Sequence, residues 1–309
     1  MRLIVICLLA VTALLVLERT LRYPVTNSYY AGAGDEITVA TTAIHVSGNP
    51  QENISKIGDM VALIKEEHRD VDLIVFGEAI SGLYKTEDND YHRHVADTVP
   101  GNITESLSAI CIQNAVYISA GMVERFNGRI YNSQVMISDS GQIITIQRKK
   151  YPKASSFEPG YSTLSVSKVR GLKTGTTICY DISKKETVKK ARDESISILI
   201  HSNADYYEEF DSIGFAYRYL AKQYRSWLVT SNRVGTEGNT RWDGHIEIID
   251  PFGRVVKNGK EVEQYIVFDI KCNTDINFLT RPMYNFYNKI SLIVFTVKHF
   301  DIARRYYDF

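Results

Sequence analysis

From Ile37 onward, two kinds of apolar pattern alternate along the chain. "ITVATTAIHV" (37–46) and "DLIVFGE" (72–78) are runs rich in β-branched and aliphatic residues, and between them Ile54, Ile57, Val61 and Ile64 recur at helical spacing. This opening predicts a strand, a helix and a second strand. Strand patterns follow in "AVYISAGMVE", "NSQVMISDSGQIITIQRK", "TGTTICYD", "SISILIHSNA", "WLVTSN" and "GHIEIIDPFGRVVK", and helices are predicted over about 103–114, 184–194 and 212–226. "SDSGQ" and "DPFGR" read as hairpin turns, the second with Pro and Gly at the turn positions whose backbone angles those residues favour. Hairpins mixed with crossovers predict a layered α/β sandwich rather than a purely parallel sheet. No internal repeat or low-complexity segment interrupts the pattern.

The ends of the chain differ from this body. Residues 3–17, "LIVICLLAVTALLVL", are almost wholly apolar, preceded by Arg2 and followed by Glu18, Arg19 and Arg22. A helix of that length spans roughly 22 Å, a little short of a bilayer's hydrocarbon core. The segment (1–17) reads as an uncleaved membrane anchor in preference to a cleaved signal, and implies a membrane-anchored or exported protein, the side of the membrane left open. Residues 18–36, with "YYAGAGDE", read as a linker, 37–272 as the folded domain and 273–309 as a C-terminal arm that docks as a strand or packs on a partner, with a membrane-surface contact as the alternative.

Composition narrows the function classes. Thirty-six basic and thirty-six acidic residues balance, and no aromatic-basic motif of an RNA-binding module is present, so nucleic acid is not an expected partner. The four cysteines, at 7, 111, 179 and 272, lie far apart with no C-x-x-C pair, which fits neither a disulfide framework nor a zinc site. The "HRH" at 92–94 has metal-compatible spacing but no accompanying cluster, and reads as a solvated loop.

One cysteine stands apart. Cys179 closes the apolar run "TTIC" and is followed at once by Tyr180 and Asp181. A side chain at the C-terminal tip of a strand is held by the sheet yet faces an open crevice, where α/β proteins place reacting groups. A cysteine acts as a nucleophile only as thiolate, so it needs a base or a cation nearby. Glu78 ends "DLIVFGE", Lys149 and Lys150 end "GQIITIQRKK" before Pro152, and Glu158 lies in the following loop "SSFEPGY". Taken singly, these residues have ordinary explanations as a small core residue, a helix start and an edge guard.

Jointly, and in this order, "DLIVFGEAI", "RKKYP" and "TTICYDIS" resemble the three catalytic motifs of the nitrilase, or carbon–nitrogen hydrolase, superfamily. The similarity runs from about Ile37 to about Ile270, and "SNADYYEEFDSIG" is similar to the apolipoprotein N-acyltransferase branch. The resemblance implies a nitrilase-like α-β-β-α sandwich, an amide or nitrile as small-molecule substrate, no cofactor or metal, and a homodimer or higher homo-oligomer. It implies that Cys179 attacks the substrate carbon, Glu78 acts as general base and Lys149 stabilises the developing oxyanion, with the Tyr180 backbone N–H as a second donor and Glu158 as an additional active-site glutamate. A one-residue slip of register would put Lys150 in the place of Lys149. His201 and Asn203 are candidate pocket residues. "YDISKKE" lacks the arginine common after the cysteine in soluble amidases.

The same three residues serve hydrolysis, with water as the acceptor, and acyl transfer, with an amine as the acceptor. Hydrolysis is the favoured reading, because the acyltransferase branch embeds its domain among many membrane helices and this chain offers at most one. Two other readings remain: a papain-like pairing of Cys179 with His45 or His201, which a cysteine closing a late strand does not fit, and a catalytically silent binding module, which the intact Glu78, Lys149 and Cys179 argue against.

Overall fold

The computed structural model describes residues 2–31, 34–84, 89–206, 210–259, 262–273 and 281–298. Its centre is a path of strands in the order β5-β4-β3-β2-β1-β9-β8-β7-β6. These are β1 (Asp35–Ile44), β2 (Leu73–Val75), β3 (Tyr117–Phe126), β4 (Arg129–Ile137), β5 (Ile143–Arg148), β6 (Ser165–Val169), β7 (Leu172–Ile178), β8 (Ile198–Ser202) and β9 (Trp227–Glu237). Off this path, β10 (Thr240–Asp243) and β11 (Glu247–Ile249) pair with β9, β12 (Val255–Asn258) pairs with β11, and β13 (Gln264–Cys272) runs antiparallel to β1.

The path folds into two stacked layers. Val39, Leu73, Val75, Met136, Ile198 and Ile200 are among the residues that fill the space between them. Helices α2 (Pro50–Glu67) and α4 (Asn102–Asn114) cover one outer face through Ile57, Val61, Ile64, Leu107 and Cys111. On the other outer face, α5 (Lys185–Asp193) and α6 (Phe210–Tyr224) pack Ala191, Leu220 and Tyr224 against Leu199, Leu228 and Ile249. This is the layered α/β sandwich expected from the alternating pattern, with the α-β-β-α order that the family resemblance implies. Strands buried on both faces read as continuous apolar runs, which is why β1, β2 and β8 are legible in the sequence. Both hairpins form as expected: Ser138 N donates to Gln142 O at 2.8 Å, and Asp250 N to Arg254 O at 2.9 Å.

Strands β3, β2, β1, β9, β8 and β7 are mutually parallel. Strand β5 reaches the same direction through two antiparallel steps. The C-terminal ends of β2, β5 and β7, where Glu78, Lys149 and Cys179 follow, therefore all open toward one edge of the sandwich.

Four expectations change. The segment 18–36 read as a linker is helical through Ala31: α1 spans Arg2–Ala31, apolar run included. Its second half docks on the body. Val25 and Tyr29 are buried, the Tyr29 ring meets Phe252 edge-on at 5.2 Å, and Tyr30 donates to Asp250 Oδ2 at 2.7 Å. The arm expected as a strand contains a helix, α7 (Arg281–Lys298), packed against α1, while residues 299–309 lie outside the described residues. Buried Glu18 joins the pair, accepting from Arg22 Nη2 at 2.7 Å and from Tyr287 Oη of α7 at 3.2 Å. Among the described residues no helix is long and apolar enough to cross a membrane, so the anchor expected over 1–17 gains no support from the structure. The apolar run continues into a charged half that is held by the globular body. The "HRH" stretch also lies in a helix, α3 (Asn89–Val95), rather than a loop; His92 is buried beside Ser156 at 2.6 Å and Phe157, and no group of metal-ligating side chains occurs among the described residues.

Glu18→Ala leaves the phenol of Tyr287 and the Arg22 guanidinium without their shared acceptor, a loss of about 1–3 kcal/mol. Limited trypsin digestion is expected to cut faster at Arg19 and Arg22 in this variant, and an unchanged cleavage rate would show that apolar packing alone holds α1 to α7.

Candidate active site

Glu78 follows β2 and is completely buried. Its backbone N–H donates to Asn203 O at 3.1 Å, and Ala79 after it adopts φ +49°, a left-handed turn that an L-residue enters only when its surroundings force it. The bend fits against β3 because position 121 is glycine: a Cβ there would meet Ala79 N at 2.3 Å and Gly77 O at 2.4 Å. Glu78 Oε1 accepts from Lys149 Nζ at 2.6 Å and from Asn132 Nδ2 at 2.6 Å. Oε2 is buried with no hydrogen-bond partner among the described residues. One carboxylate oxygen is thus committed to holding geometry, and the other is left to take a proton.

Lys149, the residue after β5, is buried within the pair. Burial opposes its charge, but the neighbouring Cys179, Glu78 and Tyr84 outweigh it and hold the ammonium well above the usual lysine value. Lys150 turns outward to Glu186, with Nζ–Oε1 at 2.9 Å. The two lysines left open by register are therefore separated by geometry: Lys149 is in the buried cluster and Lys150 at the surface.

Cys179 follows β7 with φ +45° and opens a single 3-10 turn, Cys179–Ser183. Burial, then the Glu78 carboxylate, push its thiol up to about 12, while the ammoniums of Lys149 and Lys153 pull the other way. A thiol held that high is protonated in the free protein at neutral pH, and it would serve as a nucleophile only with a base to remove its proton. Alkylation of the free protein by iodoacetamide is expected to accelerate steadily from about pH 7 to about pH 10 without a plateau, because the thiolate fraction grows tenfold per unit below the pKa. Mass spectrometry of the Cys179 peptide reads the rate, and a plateau near neutrality would show a preformed thiolate.

The other expected residues divide. Tyr180 follows Cys179 in the turn, with its ring exposed beneath Lys184 Nζ at 3.9 Å. Asn203 is buried at the end of β8 and touches the cluster through its carbonyl on Glu78. His201 lies on β8 facing α6, edge-on to Tyr217 at 5.1 Å, and burial pushes it down to about 3. A ring whose proton affinity is lowered that far is too weak a base for a papain-like pairing. Glu158 is not brought to the cluster: its N–H is pinned to Ile130 O at 2.8 Å, and its exposed carboxylate points to Arg129 Nη1 at 3.8 Å. The polar group on Glu78 besides Lys149 is instead Asn132, on β4. A buried polar run inside a strand, Asn132-Ser133-Gln134, was its signal in the sequence.

Beside the cluster stands an aromatic group. Tyr84 meets Trp242 edge-on at 5.9 Å, Tyr206 stacks on Trp242 at 5.1 Å, and Lys149 Nζ lies 5.8 Å from the Tyr84 ring. A cavity of about 520 Å³ opens near the opposite end of β7, between Leu172, Arg192, Tyr224, Arg225 and Asn285, and none of Glu78, Lys149 and Cys179 lines it.

Residues 36–274 match the model of the carbon–nitrogen hydrolase family. The chain is 30% identical over 209 residues to an (R)-stereoselective amidase of Pseudomonas sp, covering 64% of this chain and 73% of that protein. It is 27% identical over 237 residues to the 2-oxoglutaramate amidase of Bacillus subtilis, covering 72% of this chain and 86% of the relative. Among solved structures, Nit3 of Saccharomyces cerevisiae, a member of branch 10 of the nitrilase superfamily, superposes with a TM-score of 0.70 at 18% identity, over 78% of this chain and 91% of that one.

Proposed function

The chain belongs to the carbon–nitrogen hydrolase family, and from that premise we propose that it is a cysteine-dependent amidase that hydrolyses a small non-peptide amide through a thioester on Cys179. The observation that carries the assignment of roles is the asymmetric use of Glu78: Oε1 is fixed by Lys149 and Asn132, Oε2 has no hydrogen-bond partner among the described residues, and the carboxylate acts on the Cys179 thiol by raising it.

The chemistry follows from those groups. Cys179 Sγ attacks the amide carbon as Glu78 takes the thiol proton, and the carbonyl π electrons move to oxygen. Lys149 and the Tyr180 backbone N–H stabilise that oxyanion. Collapse of the intermediate breaks the carbon–nitrogen bond, and the protonated Glu78 gives its proton to the departing nitrogen, releasing ammonia or an amine. Water then attacks the thioester, Glu78 accepts its proton, and the thiol is restored as the acid leaves. Lys149 stays protonated throughout, so it lowers the cost of both oxyanions without exchanging a proton.

The names of the relatives, an (R)-stereoselective amidase and a 2-oxoglutaramate amidase, support hydrolysis of an amide. The acyl-transfer alternative draws on "SNADYYEEFDSIG", of which residues 207–209 lie outside the described residues, and it is not favoured. The test is intact-protein mass spectrometry after brief exposure to a panel of primary amides, nitriles and acyl esters. An acyl adduct on Cys179 that water alone releases, with ammonia liberated from the amides, is the expected result. Release only on adding an amine would assign acyl transfer instead. Self-association, which the family resemblance implies, is read by light scattering on the same protein.

A further inference from the structure

We propose that Asp181 is a positioning residue for this site: from two residues beyond the nucleophile it clamps the backbone that follows Lys149, and so keeps Cys179 and Lys149 in register across the sandwich. The inference rests on the amidase reading and adds a residue to it. Asp181 is completely buried. Its Oδ2 accepts from Lys150 N at 2.7 Å and its Oδ1 from Tyr151 N at 3.0 Å, so consecutive amides occupy both oxygens. Its main chain is fixed from the other side, because its carbonyl accepts from Lys184 N at 3.2 Å and from Thr187 Oγ1 of α5 at 2.6 Å.

Two features give the clamp its consequence. The strands it joins are far apart in the sheet path: β5 is at one end and β7 is next to the other, so no β-ladder ties Lys149 to Cys179. Cys179 is also held at φ +45°. A residue stays in that region only where its surroundings over-determine it, and Asp181 anchors the same turn at both its carboxylate and its carbonyl. A second bridge runs between the same segments, from Glu186 to Lys150 Nζ at 2.9 Å and to Tyr151 Oη at 3.1 Å, but it is solvent-exposed. Exposed ion pairs of that kind hold geometry weakly.

The carboxyl is ionised for this task at a cost. Burial raises it to about 6, against the two backbone N–H groups and Lys149, which favour the charge, and with Glu78, which opposes it. The charged groups around it are Lys149 and Glu78 in the cluster, Lys150 on the loop after β5, and Lys184 and Glu186 at the start of α5. As pH falls through about 6 the carboxyl takes a proton, one oxygen becomes a donor facing a donor, and the clamp loosens.

The test compares Asp181→Asn, Thr187→Val and Glu186→Gln in the full chain, using whichever amide acylates the wild-type protein. Asp181→Asn is expected to lower kcat by roughly 10²-fold with KM held within about threefold, the effect of misplacing a reacting group by about an ångström. Thr187→Val, which removes the shorter of the two hydrogen bonds to the Asp181 carbonyl, is expected to lower kcat in the same pattern by roughly tenfold. Glu186→Gln is expected to stay within about twofold of wild type. The ratio of wild-type to Asp181→Asn activity should shrink as pH is lowered from about 7.5 to about 5, because the wild-type clamp is then protonated as well. An unchanged kcat in both Asp181→Asn and Thr187→Val overturns the proposal, as does a loss confined to KM or a ratio constant with pH. Should Asp181→Asn not fold, Thr187→Val decides alone. If the wild-type protein cleaves no amide and Cys179 is never acylated, the amidase reading fails by itself. The clamp is then read from Cys179 alkylation by iodoacetamide, and equal rates in wild type and Asp181→Asn would reject it.

Discussion

Replacing Cys179 by alanine is expected to reduce amide hydrolysis by about 10⁴-fold or more, because no bond to the substrate carbon can form and the remaining groups can only bind and polarise the amide. The fold should survive. Alanine and cysteine meet the same steric cost at φ +45°, so the strain is unchanged, and only one sulfur atom is removed from the site; a melting temperature within about 3 °C of wild type is expected. Ammonia release and thermal melting on one preparation test this together. Retained hydrolysis in a folded Cys179→Ala protein would reject the thioester and leave Glu78 to activate water directly. Loss of both activity and fold would instead assign Cys179 a packing role.

Lys149→Met is expected to lower kcat/KM by about 10³-fold, the size of effect seen when a donor to a developing oxyanion is lost. It should also cost stability, which separates it from Cys179→Ala. The Lys149 ammonium and Glu78 carboxylate form a buried pair at 2.6 Å. Removing one member of such a pair leaves an uncompensated buried charge and typically costs about 3–5 kcal/mol. The double substitution Lys149→Met with Glu78→Gln removes both charges and is expected to recover most of the lost stability while remaining inactive. Chemical denaturation of the single and double variants, with activity measured alongside, reads both quantities. Lys150→Ala, one residue along, is expected to keep activity within about twofold, because its ion pair with Glu186 is solvent-exposed. Equal losses from the two lysines would mean that the strand end, rather than the Lys149 side chain, is what the reaction needs.

These two results would test a site whose parts were legible to different degrees. Glu78, Lys149 and Cys179 could be singled out from the chain because each follows an apolar run that ends abruptly. The order of their motifs also led to a family that the match over residues 36–274 supports. The second glutamate did not follow the pattern. Whether Glu158 reaches the cluster depends on where its loop is pinned, and the bond from its N–H to Ile130 O turns it to solvent. Asn132 stands out in the sequence only as part of a polar run inside a strand, which does not point to Glu78, since the pairing spans 54 residues. The segment read as a linker is another case. Tyr29, Tyr30 and Val25 have no apolar periodicity of their own to announce a helix end, and they are ordered by Phe252, Asp250 and α7, all distant in the chain.

By itself, then, the sequence determined the alternation of strands and helices in a layered α/β sandwich, the hairpins and the three strand-end residues. Those features come from side-chain periodicity and turn chemistry within a few residues, the range over which local sterics and burial act. What only the tertiary structure decided are the left-handed turn at Cys179, the division of work between the two oxygens of Glu78, the choice of Lys149 over Lys150 and the Asp181 clamp. Each depends on which groups from other strands arrive within about 3 Å, and hydrogen bonds and buried charges act with directional force only at that separation.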